Sequence, residues 1–349
     1  MSDIFSVDSE LGEELQENEA KIVQEIADNV ADHIKQRPRP AMRGAHPKSH
    51  GLVRAEFQVL DHLPPHLAQG VFVPGKRYDA WIRFSNGDLN PTNPDSKGDA
   101  RGMAIKLIGV PGDKILPEAR DAQTQDFVMI NHPVFFVDKS ADYLKLTHIP
   151  KDSNPVNKVK QLVAIGLKSA LIASTIEKLK IASPLESRYW SMSPYRLGDP
   201  PHKQAIKFSA RPHLPVSSQV PDHPKQSYLR DAMSEHLAVA NAIFDFEIQP
   251  RTSPNMSVEN SRDEWPESDA PFTKVATITI PQQKCDTPGR DRLSEDLVFS
   301  PWHALPQHRP LGALNRMRRI VYQASSKMRH ELGATPAGEP DKMVDTNVS

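Results

Sequence analysis

The chain holds a single cysteine, Cys285, in 349 residues. One thiol excludes an internal disulfide, a haem anchored through a paired-thiol motif and a thiolate metal cluster, so any metal is held by other atoms. Aromatic residues are few, at 6%, and no charge of either sign accumulates: 43 basic residues oppose 44 acidic ones, for a formal net charge of -1. That balance provides no global field to gather a polyanion, which argues against nucleic acid and against an acidic membrane as partners. A long uncharged apolar run is also missing. The most apolar stretch, Val159 to Leu179, is interrupted by Lys160, Lys168, Glu177 and Lys178, and reads as a buried or amphipathic helix rather than a membrane span. The opening residues have neither the basic flank nor the apolar core of a targeting segment, which makes the cytoplasm the expected location.

What the chain has in plenty is proline, 32 residues of it, a mark of frequent turns and extended loops rather than a helical bundle. From Glu10 to Lys35 apolar residues recur near helical spacing, and Pro38 and Pro40 stop the pattern, giving a peripheral N-terminal helix. Seven runs then alternate as strands do: Leu52–Leu60, Tyr78–Ser85, Gly102–Val110, Asp126–Asn131, the segment AIKFSAR, Phe244–Gln249 and Lys274–Pro281. A long helical pattern lies between Asn154 and Lys180, a turn-rich connector between Tyr189 and Asp199, and a closing helix carries Leu311, Leu314, Ile320, Val321 and Met328. Strands without regular helix alternation indicate an antiparallel sheet, and the pattern fits a barrel with helices attached, an α+β fold. The organisation expected is an N-terminal helical extension over 1–37, one domain over 38–333, and a polar Pro/Gly-rich tail over 334–349 that reads as mobile.

Five short segments carry residues capable of chemistry. The loop Met42–Gly51 holds Arg43, His46, Lys48, His50 and Gly51; a histidine there is equally at home as a hydrogen-bonded structural residue, and His50 is read as structural. In the strand Trp81–Asn86, alternation puts Arg83 and Ser85 on one face and Ile82 and Phe84 on the other. Asp99 and Arg101 form an Asp-x-Arg pair that would also brace a turn, and Asn131, just before a proline, would also cap one. On the closing helix Arg318, Tyr322 and Arg329 are spaced by four and seven residues, which places all three on one side. A phenol titrates near ~10, so it ligates ferric iron at neutral pH only where positive charge favours the phenolate, and Arg318 stands one turn away to supply it. An amphipathic basic helix with a tyrosine at the core edge gives the same pattern.

Taken together and in order, these segments resemble the haem catalases. Arg43, His46, Lys48 and Gly51 fill the family's Arg-x-x-His-x-Lys-x-x-Gly motif. Arg83, Phe84 and Ser85 match its Arg-Phe-Ser strand; Asp99, Arg101, Gly102, Ala104 and Lys106 match its Asp-x-Arg-Gly-x-Ala-x-Lys segment. Asn131, Pro133, Phe135 and Phe136 match the distal asparagine motif, and Arg318, Tyr322 and Arg329 the proximal one.

The resemblance implies an antiparallel eight-stranded β-barrel with flanking helices and a buried haem b, iron protoporphyrin IX. It implies that His46 is the distal acid and base, that Asn131 hydrogen-bonds the peroxide and that Ser85 fixes the imidazole tautomer. Tyr322 would be the iron ligand, tuned by Arg318, and Arg43, Arg83 and Arg329 would face the propionates. The activity implied is reduction of hydrogen peroxide or organic hydroperoxides through a ferryl state, with a small organic electron donor, on the branch of small catalase-related peroxidases. Two departures matter. Gln323, Ala324, Ser325 and Ser326 stand where Pro-Asp-Thr-His usually follows the tyrosine, and the chain is short of the family's nucleotide-binding surface, so no NADPH is expected. A rearrangement of fatty-acid hydroperoxides, as in the related allene oxide synthases, is the enzymatic alternative, against which Ala45 stands where those enzymes carry threonine. A non-catalytic haem-binding protein is the other; it has no use for a proton shuttle. The oligomeric state, homo-oligomer included, is left open.

Overall fold

The computed structural model describes residues 5–36, 42–149, 155–215, 218–333 and 338–343. Its centre is a barrel. Strands β1 (Ser49–Val59), β2 (Arg77–Asn86), β3 (Arg101–Ile108) and β4 (Thr124–Ile130) form an antiparallel meander, and β7 (Gln204–Pro212), β8 (Ala242–Pro250) and β9 (Thr273–Ile280) form a second, joined to the first by β1–β9 pairing. The ring closes through β5 (Tyr189–Trp190), which pairs with Ile130 of β4 on one side and with Ser209 and Ala210 of β7 on the other. A further strand, β6 (Tyr195–Leu197), extends β7 outside the ring. Seven strands follow the runs of alternating residues. The eighth member of the ring, β5, lies in the segment read above as a connector, because two residues are too few to show a period.

Alternation explains why the ring is filled. Val53, Ala55, Phe57 and Val59 of β1 point inward with Ile82 and Phe84 of β2, Met103, Ile105 and Leu107 of β3, and Phe127 and Met129 of β4. Seven of the chain's 12 phenylalanines are in this core, so the scarce aromatics are concentrated where each contributes most, roughly 1.5–3 kcal/mol per buried side chain. Phe127 and Phe246 pack with centroids 4.8 Å apart, and Phe57 meets Phe246 edge-on at 5.1 Å.

The opposite, outer face of β1–β3 is also covered. Leu52, Trp81 and Ile108 pack there with Leu297 and Phe299. Helix α6 (Gly312–Glu331) lies under α1 (Glu19–Lys35), Val23 and Ile26 meeting Leu314 and Met317. Their junction is ionic as well as apolar. Arg316 is fully buried and donates to Glu19 Oε1 at 2.7 Å, Glu13 Oε1 at 2.9 Å and Glu259 Oε1 at 3.0 Å. The N-terminal segment therefore holds α6 in place and is not peripheral. Its expected single helix is in fact a 3-10 turn at Ser9–Leu11 followed by α1; the stop signals Pro38 and Pro40 lie outside the described residues.

Three helices have no counterpart in the strand and helix runs read above: α2 (Ser140–Thr147), α4 (Tyr228–Val239) and α5 (Pro288–Asp296). The long helical pattern becomes α3 (Pro155–Glu177), broken at Gly166, whose φ of 78° is outside the helical region. The mobile tail needs correcting for Gly338–Met343. Glu339 reaches the outer barrel face, 2.5 Å from Lys106 Nζ and 3.1 Å from His303 Nδ1, and accepts from Thr124 Oγ1 at 2.6 Å, while Met343 packs on the Trp81 cluster. Lys106 is fully buried and also holds Asp126 at 2.7 Å, so this tail acid offsets a cation that burial would otherwise penalise. Residues 334–337 and 344–349 lie outside the described residues.

Candidate active site

The loop before β1 and the outer face of β2 and β3 build one half of the site. His46 sits at a φ of 54°, in the left-handed region that non-glycine residues seldom occupy and that clusters at functional positions. Its ring turns back on β2, where Nδ1 lies 3.0 Å from Ser85 Oγ. Arg83, two residues earlier on the same strand face, donates to the His46 carbonyl at 3.0 Å and fixes the loop from below. The neighbouring position on β3 has to be glycine. A Cβ on Gly102 would stand 2.6 Å from His46 Nδ1 and 2.7 Å from Ser85 Oγ, closer than any real contact allows.

Burial holds the His46 imidazole down at about 3, with the positive charges of Arg83, Arg318 and Arg43 acting in the same direction. The ring is neutral at physiological pH and able to take a proton. Asn131 follows β4 and is tied to the start of β3: its Oδ1 accepts from Arg101 N at 2.6 Å and its own N–H donates to the Arg101 carbonyl at 2.9 Å. With its oxygen engaged, the amide nitrogen is the group left to donate.

Helix α6 supplies the other half. Arg318 Nη2 donates to Tyr322 Oη at 3.3 Å, as the four-residue spacing anticipates. Burial opposes the Arg318 charge, yet the oxygens of Tyr322 and Tyr195 outweigh it and hold the guanidinium above its ordinary range. The helix touches the histidine loop directly, Gly44 N donating to Ser325 Oγ at 3.3 Å. Ser325 is one of the residues that depart from the usual sequence after the tyrosine, so the departure makes a specific contact. Because Arg318 acts on the imidazole charge, the two halves share one electrostatic environment.

Three arginines converge beside them. Arg43 bonds the carbonyls of Ser294 and Leu297, Arg83 lies 3.3 Å from Glu295 Oε1, and Arg329 bonds the Glu295 carbonyl and lies 3.9 Å from its carboxylate. Burial lowers all three, and for Arg43 the like charges of Arg83 and Arg329 add to it. Glu295, 38% exposed, lies within 4.0 Å of all three, and the charge of Asp296 also acts on Arg43 and Arg329. Lys48 and His50 belong to a different set. Lys48 Nζ contacts Asp95 at 2.7 Å and the carbonyls of Asn93 and Gln226, and His50 is buried 3.9 Å from the same carboxylate, so both brace the loop. Asp95 was not singled out in the sequence, where it sits in a Gly-Asn-Pro-Asp-rich turn with no telling pattern. Asp99 turns from its Arg101 partner, 3.8 Å away, to accept from Asp88 N, and burial raises it to about 6.

A family model described as catalase matches residues 16–165. A catalase-related peroxidase of Mycolicibacterium paratuberculosis (strain ATCC BAA-968 / K-10) is 26% identical over 308 residues, covering 83% of this chain and 90% of the relative. By these two matches the chain is similar to the catalases and their related peroxidases. Solved catalases share its fold: a fungal catalase at a TM-score of 0.67 and 17% identity, catalase A from Saccharomyces cerevisiae at 0.61 and 15%, and a bacterial catalase at 0.66 and 15%. They cover 90%, 90% and 98% of this chain, which spans only 64%, 66% and 66% of theirs.

Catalases are haem proteins, and the donor set here suits that group. A phenol oxygen bonded to a guanidinium is a hard oxygen donor of the kind that suits ferric iron. A buried trio of convergent arginines suits a dicarboxylate. Gly102 keeps the imidazole seated on Ser85, clear of a strand side chain. Two small cavities lie away from these residues: one of about 10 Å³ is lined by Trp190, Lys207 and Trp265 among others, and a smaller one by Val137, Leu314 and Met317.

Proposed function

We propose that the chain is a haem b peroxidase of the catalase type, reducing hydrogen peroxide or organic hydroperoxides at the expense of a small organic donor. The observation that carries this reading is the His46–Ser85 pair: a neutral imidazole, fixed through Nδ1, facing a helix that presents Arg318 and Tyr322. Tyr322 would ligate the iron, with Arg318 favouring the phenolate, and Arg43, Arg83 and Arg329 would hold the propionates. The sole cysteine, Cys285, is buried next to Ser234, away from these residues, which supports a non-covalently held group.

Bound haem would supply a redox-active iron at which the peroxide O–O bond is cleaved. The protein's part is proton handling. With Nδ1 engaged by Ser85, Nε2 of His46 is the atom that takes the proton from the near peroxide oxygen and returns it to the departing one, so that water or an alcohol leaves without a free alkoxide or hydroxide. Asn131, its oxygen fixed by Arg101 N, would orient the peroxide through its amide N–H groups. Arg83 serves twice: it holds the His46 carbonyl and adds to the charge that keeps the ring unprotonated.

The test is optical. Purified protein produced with ample iron and porphyrin should show a Soret band that changes on adding peroxide and returns on adding a reducing co-substrate. Protein that remains colourless, or a Soret band indifferent to peroxide, would refute the reading.

A further inference from the structure

Helix α3 presents an apolar strip to solvent. Val156, Val159, Val163, Leu167 and Leu171 are between 58% and 76% exposed, and they make up five of the eight exposed large hydrophobic residues among the described ones. Single exposed apolar side chains are ordinary, but five along one helix are not. Three of them precede the break at Gly166 and two follow it, all facing outward, while Ile172 and Ile176 on the inward side pack with Ala100, Ile130, Phe135 and Phe136. Just past the helix, the Leu179 carbonyl accepts from Asp99 N at 3.0 Å, in the turn that leads into β3 and Arg101.

Charge indicates what covers the strip. The segment 155–180 contains Lys158, Lys160, Lys168, Lys178 and Lys180 against one acid, Glu177, a net +4 within a chain whose total is -1. Lys160, Lys178 and Lys180 are exposed beside the strip, and Lys168 is paired with Asp263. A core segment of another protein would match the apolar residues but not this charge; a second copy would bring the same charge against it. No helix among the described residues is long and apolar enough to cross a membrane, so spanning is not the use of this one.

We propose that α3 is a docking helix for an anionic lipid surface, its valines and leucines entering the boundary between head groups and acyl chains and its lysines pairing with lipid phosphates. Docked this way, the protein brings the side of the barrel that carries Ala100 and Ile130, neighbours in sequence of Arg101 and Asn131, towards the bilayer. On the peroxide reading above, that favours lipid hydroperoxides as substrates, a consequence that rests on that reading; the docking itself does not. Whole-chain charge, which argues against an acidic membrane partner, averages this segment away.

The test is co-sedimentation of the full chain with phosphatidylcholine vesicles, with and without phosphatidylglycerol. Parent protein should partition onto the anionic vesicles and lose binding as salt is raised. The triple variant Val163→Gln, Leu167→Gln, Leu171→Gln should bind at least about tenfold more weakly, as should Lys160→Gln, Lys178→Gln, Lys180→Gln, with circular dichroism unchanged. No binding by the parent, or full binding by the apolar triple variant, overturns the proposal. So does a dimer in sedimentation velocity that the apolar variant dissociates, since the strip would then join two copies. The assay reads docking whether or not haem is bound, so its failure and the failure of the peroxide reading are distinguishable.

Discussion

Nδ1 of His46 lies 3.0 Å from Oγ of Ser85, across a separation of 39 residues in the chain. This contact exists because a left-handed residue turns the loop back on β2 and because Gly102 leaves room for both side chains. His46→Ala should retain haem and lose most peroxide turnover, by at least about 10²-fold, the usual contribution of a positioned acid and base. Ser85→Ala should cost less, about tenfold, and alter the pH profile, because the ring loses the group that fixes its tautomer. Stopped-flow peroxide consumption, normalised to the Soret band, measures both; parent-like rates in His46→Ala would end the proposed mechanism.

On α6 the two substitutions separate ligand from tuning. Tyr322→Phe removes the proposed iron ligand and should leave little or no haem after gel filtration. Arg318→Ala removes the donor 3.3 Å from Tyr322 Oη and should shift the absorption bands while haem is retained in part. An Arg318→Ala spectrum identical to the parent's would exclude tuning by this residue.

Arg316 is the residue on which the placement of α6 rests. Its removal leaves the buried Glu19 and the partly buried Glu259 without the guanidinium between them, and Glu13 with Arg309 alone. Arg316→Ala should cost about 3–5 kcal/mol, the range for a broken buried ion pair, measured by urea denaturation. A loss under about 1 kcal/mol would mean that α1 and α6 are held by their apolar contact alone.

Acid should destabilise the protein through histidines that are neutral when folded. Burial holds His50 and His308 at about 3, against about 6.5 in the unfolded chain. Between those values the unfolded state binds more protons, so this stability is complete above about pH 6.5 and is lost as the pH falls towards 3. Each residue contributes up to about 1.4 kcal/mol per pH unit in that window. Urea midpoints taken from about pH 7 down to about pH 5 should fall, and a flat profile would show that the two rings are not the groups responsible.

The docked tail makes its own prediction. Glu339→Gln removes the charge facing Lys106 and His303, and should cost about 1–3 kcal/mol as the buried Lys106 cation loses one of its two acids. It should also speed tryptic cleavage after the exposed Lys342. Unchanged cleavage and stability would show that the tail rests there without being held.

Much of this was legible in the residues themselves. Alternation located seven strands and put Ile82 and Phe84 inside the barrel with Arg83 and Ser85 outside, because the side-chain period of a strand is a local property. Helical spacing likewise brought Arg318 to Tyr322, and the motif order pointed to the superfamily. Local pattern failed where pattern needs length, as at the two-residue β5 that closes the ring, and where the polar signature of a loop hid a docked segment, as at Glu339.

Tertiary structure alone decided which charges are buried together. Arg43 meets Ser294 across 251 residues and Arg316 meets Glu13 across 303, and nothing near Arg316 in sequence distinguishes it from an arginine on a wet surface. The reason is that desolvation and Coulomb attraction depend on what folding places within a few ångströms, whereas the sequence orders residues only along the chain. Sequence by itself determined the strand faces, the histidine loop and the tyrosine helix; the fold determined that they meet, and that the imidazole between them is neutral.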